Sequence, residues 1–317
     1  MILDSHPQNL EKAVRAVQRG QLVAMPTETV YGLAANALSD EAVVKIFEVK
    51  GRPRFNPLIV HVPSLQDILS FAELPSCYEH FAKAFWPGPV TLVLKRRKEA
   101  SLSLLVTAGL ETVAVRIPHH PEALNLLKAV GLPLAAPSAN KSGKVSPTTS
   151  THVRDAFTEQ EVAYVLEGGA CEIGVESTIL DLSLKEPTLL RPGGLSVEEM
   201  EAFLGKKIKQ PQMFSHINAP GQLESHYAPS LPVRLNALNL QEGEMLLGFG
   251  SVETDFNLSK SGNLREAAAN LFKMLRQLDE VKNIKRIAVS PIPEEGLGRA
   301  INDRLRRAAA PREGLSG

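Results

Sequence analysis

Short apolar runs alternate with amphipathic stretches of helical period through the first two-thirds of the chain. That alternation constrains the fold more than any other feature. Each strand-sized run needs a sheet to bury it, and each helix needs that sheet to cover its apolar stripe. Residues 22–25, 58–62, 90–94, 113–117, 133–136, 162–166, 177–182 and 188–190 read as strands. Helices are expected at 10–19, 39–49, 66–71, 78–85, 121–129, 151–157 and 197–203. Ser196-Val197-Glu198-Glu199 opens the last of these with a capping-box pattern. The expected fold class is α/β, built on a large, twisted, mixed sheet with helices.

The pattern breaks at residues 210–232, where Pro211, Pro220, Pro229 and Pro232 fall in a stretch without period. Prolines make such a linker extended. His226 and Tyr227 within it point to a functional segment, because an inert spacer has little use for them. Beyond it, 232–235, 245–249 and 287–289 read as strands, and 264–278 and 300–309 as helices. This order predicts a small doubly wound, Rossmann-like C-terminal domain. Gly248-Phe249-Gly250 opens like a dinucleotide fingerprint, but the third glycine is missing. The expected division is therefore 1–209, 210–232 and 233–317, with residues 308–317 frayed.

A length of 317 residues suits two such domains. Thirty-five basic residues balance thirty-five acidic ones, which argues against a protein that grips nucleic acid by neutralising its backbone. The basic runs at 95–98, 206–207 and 304–307 are read as solvated faces. Cys77 and Cys171 cannot form a disulfide framework, and no spacing suits structural zinc. No apolar run is long enough for a membrane span, and the first residues do not resemble a signal peptide. A cytoplasmic protein without membrane association is expected.

Chemistry concentrates in a few loops. Ser39 and Asp40 cap the 39–49 helix, Gly51 stops it, and Pro53 prevents a restart. Lys50 and Arg52 thus leave a rigid element side by side, a point charge and a planar fork suited to a polyphosphate. Both side chains are expected to face solvent or ligand. In 26–33, directly after the first strand, Thr27 and Thr29 fall on one face of an extended segment. Ser138 and Asn140 follow another strand, and Ser146 lies in the next loop. Gly143-Lys144 lacks the rest of a Walker A motif, so side chains from separate loops must hold any phosphates. Arg116 ends a strand, where a charge needs a partner: either Glu111 or the carboxylate of a ligand. No Gly-x-Ser-x-Gly elbow occurs, and no paired carboxylates recur in these loops. A cationic, hydroxyl-rich pocket of this kind favours reaction between bound substrates over covalent catalysis.

Taken together, residues 26–33, Lys50-x-Arg52 with His61, Ser138-x-Asn140, residues 174–178 and Arg191-Pro192-Gly193 resemble the YrdC/TsaC family of threonylcarbamoyl-AMP synthases. His226-Tyr227-Ala228-Pro229 and the small domain after it resemble the long, two-domain form of that family. The resemblance implies a YrdC-like first domain that makes L-threonylcarbamoyl-AMP and pyrophosphate from L-threonine, bicarbonate or CO2, and ATP. Other proteins would then transfer the threonylcarbamoyl group to tRNA to give t6A, with at most weak tRNA contact by this chain. By motif, Thr29, His61, Arg116, Ser177 and the Ala136 backbone would hold threonine. Arg52, Asn56, Thr112, Ser138, Asn140, Ser146 and Arg191 would hold ATP, with Lys50 and Arg52 catalytic between the substrates. His226 or Tyr227 would close over the nucleotide. Mg2+ would arrive with ATP, held by phosphate oxygens and water, with no dedicated protein site. A non-catalytic RNA-binding protein is the alternative, opposed by the neutral charge and the lack of an aromatic stacking motif. A hydrogenase-maturation carbamoyltransferase is a third class, but its cysteine-rich zinc motifs are absent.

Overall fold

The computed structural model describes residues 1–210 and 226–311. Their larger sheet has eleven strands and mixed pairing. In spatial order run Ile2–Leu3, Tyr164–Leu166, Val23–Met25, Gly32–Asn36, Leu134–Ala135, Ile59–His61, Thr112–Arg116, Val90–Arg96, Thr178–Asp181 and Thr188–Arg191, with Ala72–Glu73 against Val90–Arg96. Every strand expected in the first domain is present, shifted by a residue or two at its ends. Ile2–Leu3, Gly32–Asn36 and Ala72–Glu73 were not expected. The first and last have two residues each, too few to show a period. Gly32–Asn36 reads Gly-Leu-Ala-Ala-Asn and is buried along almost its whole length, so it shows no polar alternation.

Register sets up the site. Ile59, Val60 and His61 pair in parallel with Ala114, Val115 and Arg116, so the two strands end level. His61 and Arg116 therefore lie side by side at one sheet end. Val23–Met25 pairs antiparallel with Gly32–Asn36, and the connection between them, residues 26–31, leaves at the Ile59 end of these rows beside Ser138 and reaches Arg116 across the sheet through the Thr29 side chain. Ser39 accepts from the Ala42 amide at the start of helix Asp40–Lys50. Gly51 closes that helix at φ 63°, a left-handed conformation that only glycine adopts without strain. Ala42, Val43, Ile46 and Phe47 of the helix are buried.

The second domain has four strands, all parallel, in the order Val233–Arg234, Arg286–Val289, Glu244–Gly248 and Phe256–Asn257. Helices Leu264–Glu280 and Leu297–Ala309 pack against each other beside it. The two-residue strand Phe256–Asn257 and the short helix Leu104–Thr107 were not legible in the sequence. The core of this domain does not stop at its own boundary. Val30, Val145, Ile173 and Val175 of the first domain belong to the same apolar cluster as Leu271, Phe272 and Ile301. At Gly174, φ 74°, an added Cβ would lie 2.5 Å from the Ala268 carbonyl oxygen, so glycine is what lets helix Leu264–Glu280 approach.

Candidate active site

A cavity opens over the sheet face that carries Ile59 and His61, with Arg116 beside it, and its walls come from loops far apart in sequence. Thr27, Thr29, His61, Arg116, Ala136 and Ser177 line one part; Arg52, Ser138, Glu176, Arg191, His226 and Tyr227 line the rest. The enclosed volume is about 40 Å3. That holds water but no nucleotide, since pockets for ligands of that size run to roughly 300–1,000 Å3.

Arg116 anchors the first part. Its Nη1 donates to Thr29 Oγ1 at 2.8 Å and its Nε to the Gly88 carbonyl at 3.2 Å. Its ion-pair partner is Glu28, at 2.7 Å and buried with it, and not Glu111. Thr27 and Thr29 share a face as expected, with their hydroxyl oxygens 2.8 Å apart. Ser177 Oγ lies 2.7 Å from Thr91 Oγ1. Burial, and then the charge of Arg116, push the His61 imidazole down to about 3, so the ring is neutral here at any ordinary pH. The set offers a cation for a carboxylate and several hydroxyls for a small polar ligand.

Arg52 and Arg191 line the other part; Lys50 does not line the cavity and is tied to the loop that carries Ser138. Lys50 is buried, and its Nζ donates to the Ser138 carbonyl at 2.6 Å and to the Asn140 carbonyl. Both side chains were expected to face solvent or ligand; Arg52 lines the cavity, whereas Lys50 is turned to backbone carbonyls and is corrected. The end of helix Asp40–Lys50 meets the 138–140 loop, and Lys50 ties the two together. Burial, then Arg52 and Lys141, hold the Lys50 ammonium well below the ordinary lysine range. Arg52 is fixed by Asn56, whose Oδ1 accepts from Nη2 at 2.7 Å, and by the Pro57 carbonyl at 2.9 Å. Burial lowers the Arg52 guanidinium to about 10. Arg191 Nη2 donates to the Ser177 carbonyl at 2.8 Å, which links the two parts of the cavity.

Asn56 touches the cavity only through Arg52, and Ser146 only through Glu176, whose Oε1 accepts from its hydroxyl at 2.5 Å. Asn140 does not line the cavity; its Nδ2 donates to the Lys141 and Lys144 carbonyls, and its Oδ1 is buried without a partner. Thr112 is not brought in. It pairs with Lys95 at the far end of the Thr112–Arg116 strand, about 13 Å from Arg116 at the usual rise per residue.

Three participants escaped the sequence reading. Glu28 and Glu176 sit inside motifs already singled out, and their buried partners were the missing information. Arg304 belongs to a basic run read as a solvated face, yet it is fully buried and its Nε donates to Glu176 Oε2 at 2.8 Å. Burial alone would raise the Glu176 carboxyl, but Arg304, Arg191 and the Ser146 hydroxyl override it and hold the group below the usual range.

His226 and Tyr227, both buried, form one wall. Tyr227 has φ 62°, rare for a bulky residue and held by its surroundings. Its ring stacks on Phe272 at 5.6 Å, and the Ala228 amide donates to the Gly143 carbonyl at 2.8 Å. Burial, and then Arg52, Lys50, Arg304 and Arg191, push the His226 imidazole well below its ordinary value. Of the expected lid, residues 211–225 lie outside the described residues.

Known proteins share this architecture. Residues 15–193 match the Sua5/YciO/YrdC family, described as telomere recombination. The chain belongs to that family. Residues 195–310 match the threonylcarbamoyl-AMP synthase C-terminal domain. Within the family, the threonylcarbamoyl-AMP synthase of Pyrococcus abyssi is 43% identical, over 93% of this chain and 92% of its own length. That of Bacillus subtilis is 40% identical, over 98% and 95%. The crystal structure of P. abyssi Sua5 complexed with L-threonine superposes with a TM-score of 0.89 at 39% identity, covering 98% of this chain and 97% of that one.

Proposed function

We propose that this family member is an L-threonylcarbamoyladenylate synthase, a nucleotidyltransferase that joins L-threonine, CO2 or bicarbonate, and ATP. The observation that carries this reading is one cavity combining a carboxylate-binding end, Arg116 with Thr29, and a polyphosphate-binding end, Arg52 and Arg191. Near-full-length relatives named for the same product support it. The threonine amine adds to CO2 to give a carbamate. A carbamate oxygen attacks the α-phosphate of ATP, and pyrophosphate leaves with the electron pair of the broken P–O bond. Two anions must meet in that step, and fixed cations lower the barrier. Lys50, Arg52 and Arg191 are held by backbone carbonyls before any ligand arrives, so little reorganisation is needed at the moment of reaction.

Threonine is assigned to Thr29, His61, Arg116, Ser177 and the Ala136 backbone, and ATP to Arg52, Ser138, Asn140 and Arg191, with Asn56 and Ser146 as supports. No group of side chains suited to a metal occurs among the described residues. In this reading Mg2+ comes with ATP, bound to its phosphates. Because the cavity is far smaller than a nucleotide, ATP binding has to displace Tyr227, which makes His226–Tyr227 the moving wall. Closure over the product then protects a mixed anhydride from water. Transfer to tRNA falls to other proteins, and a cytoplasmic setting suits the two free thiols, Cys77 and Cys171. The division into 1–209, 210–232 and 233–317 is retained.

The test is direct. Purified protein is given labelled bicarbonate, L-threonine, ATP and Mg2+, and the products are separated. Labelled threonylcarbamoyl-AMP and an equal amount of pyrophosphate are expected. ATP cleavage to ADP, or no dependence on threonine, would overturn the assignment.

A further inference from the structure

The second domain reaches the nucleotide end of the cavity through Arg304, on helix Leu297–Ala309. The side chain is fully buried. Besides donating to Glu176, it donates from Nη1 to the Pro192 carbonyl at 3.0 Å and pairs with Asp303. Its guanidinium carbon lies 5.1 Å from the centroid of the Tyr227 ring. Nη2 is buried without a hydrogen-bond partner.

Glu176 is the one acid among the described residues that line the cavity. Its charge acts on both Lys50 and Arg191. An unpaired buried carboxylate is costly, so a Glu176 released by Arg304 would turn to those cations. Each cation it neutralised would be lost to the incoming phosphates. We propose that Arg304 is a positioning residue for ATP: by holding Glu176, it keeps the carboxylate off the phosphate-binding cations and makes the second domain part of the nucleotide site. This inference rests on the synthase reading in so far as ATP is the ligand.

ATP and threonine affinities are measured separately by titration calorimetry on the full chain, for wild type, Arg304→Met, Arg304→Lys and Arg304→Met/Glu176→Gln. Arg304→Met is expected to weaken ATP about tenfold or more while threonine affinity stays within about twofold. Arg304→Lys retains the charge and should stay within about threefold of wild type. The decisive variant is the double one. Glutamine carries no charge to neutralise Lys50 or Arg191, so most of the lost ATP affinity should return. If the double variant binds ATP no better than Arg304→Met, Arg304 is a packing residue and the proposal falls. It falls equally if Arg304→Met binds ATP as wild type does. Thermal melts come first; should Arg304→Met not fold, Arg304→Gln, which can still donate to the Pro192 carbonyl, replaces it. Wild type that binds ATP yet makes no adduct would sink the synthase reading and leave this comparison standing.

Discussion

At the scale of single residues, Lys50 is assigned to the proposed reaction and also builds the site. Its ammonium holds the Ser138 and Asn140 carbonyls, so Lys50→Ala removes a charge from the site and a tie from the fold. Turnover should fall about 10²-fold or more, equivalent to roughly 3 kcal/mol of lost electrostatic stabilisation. The melting temperature should drop as well, because two buried carbonyls lose a donor. Normal turnover in the folded variant would remove Lys50 from the mechanism. Amino-acid choice is also decided by single groups. Thr29 and Ser177 offer hydroxyl partners beside Arg116. Valine leaves a polar partner unpaired and should react at least ~100-fold more slowly than threonine. Serine lacks only a methyl group, worth ~1–3 kcal/mol, and should retain partial activity. Equal rates with threonine and valine would disprove this assignment of the pocket.

At the scale of elements, the site depends on turns that bring loops from both strand ends around one cavity. The turn after strand Thr188–Arg191 is among the tightest. A Cβ at Gly193 would lie 2.3 Å from the Ser177 carbonyl carbon and 2.4 Å from both the Glu176 carbonyl oxygen and the Thr178 amide nitrogen. Backbone cannot yield there, so Gly193→Ala should push Arg191 away from Ser177 and weaken both substrates together. Comparison of the two dissociation constants checks this, and an effect on one substrate only would refute it. These turns were partly legible in the sequence. The helix ended by Gly51 and the capping box at Ser196 came through, because each is written in neighbouring residues. Thr112 does not line the cavity, and the register places it at the Pro57 end of the sheet, four residues and about 13 Å along the strand from Arg116.

At the scale of the whole molecule, two imidazoles, His61 and His226, are buried in uncharged form, and a third, His152, is half-buried. Burial is the largest cause in each case, lowering His61 to about 3, His152 to about 4, and His226 well below its ordinary value. In the unfolded chain these groups take up protons below about pH 6.5, whereas the folded protein does not until well below that. The unfolded state therefore binds more protons across this window. Stability should fall as pH drops through it, by up to about 1.4 kcal/mol per pH unit each for His61 and His226 and by less for the half-exposed His152. Urea midpoints measured from neutral pH down to about pH 5 test the sign, and a flat profile would contradict it. The two domains also share one apolar cluster, so truncation after Lys209 should cost the first domain more than a passive tether would. Exposing Val30, Val145, Ile173 and Val175 should lower its melting temperature, since each buried side chain of this kind contributes ~1.5–3 kcal/mol. An unchanged melting temperature would show that the first domain does not lean on the second.

The sequence by itself determined the α/β class, most of the strands and helices, the split into two units, and the motifs that supply the cavity. All of these are carried by local signals: period, caps, prolines, and polar residues at strand ends. Only the tertiary structure decided who pairs with whom. Glu28 and not Glu111 neutralises Arg116, Lys50 turns inward to backbone carbonyls, and Arg304 crosses from the second domain to Glu176. Whether a charge is solvated or buried depends on what the rest of the chain packs over it, and the pattern of neighbouring residues carries no record of that.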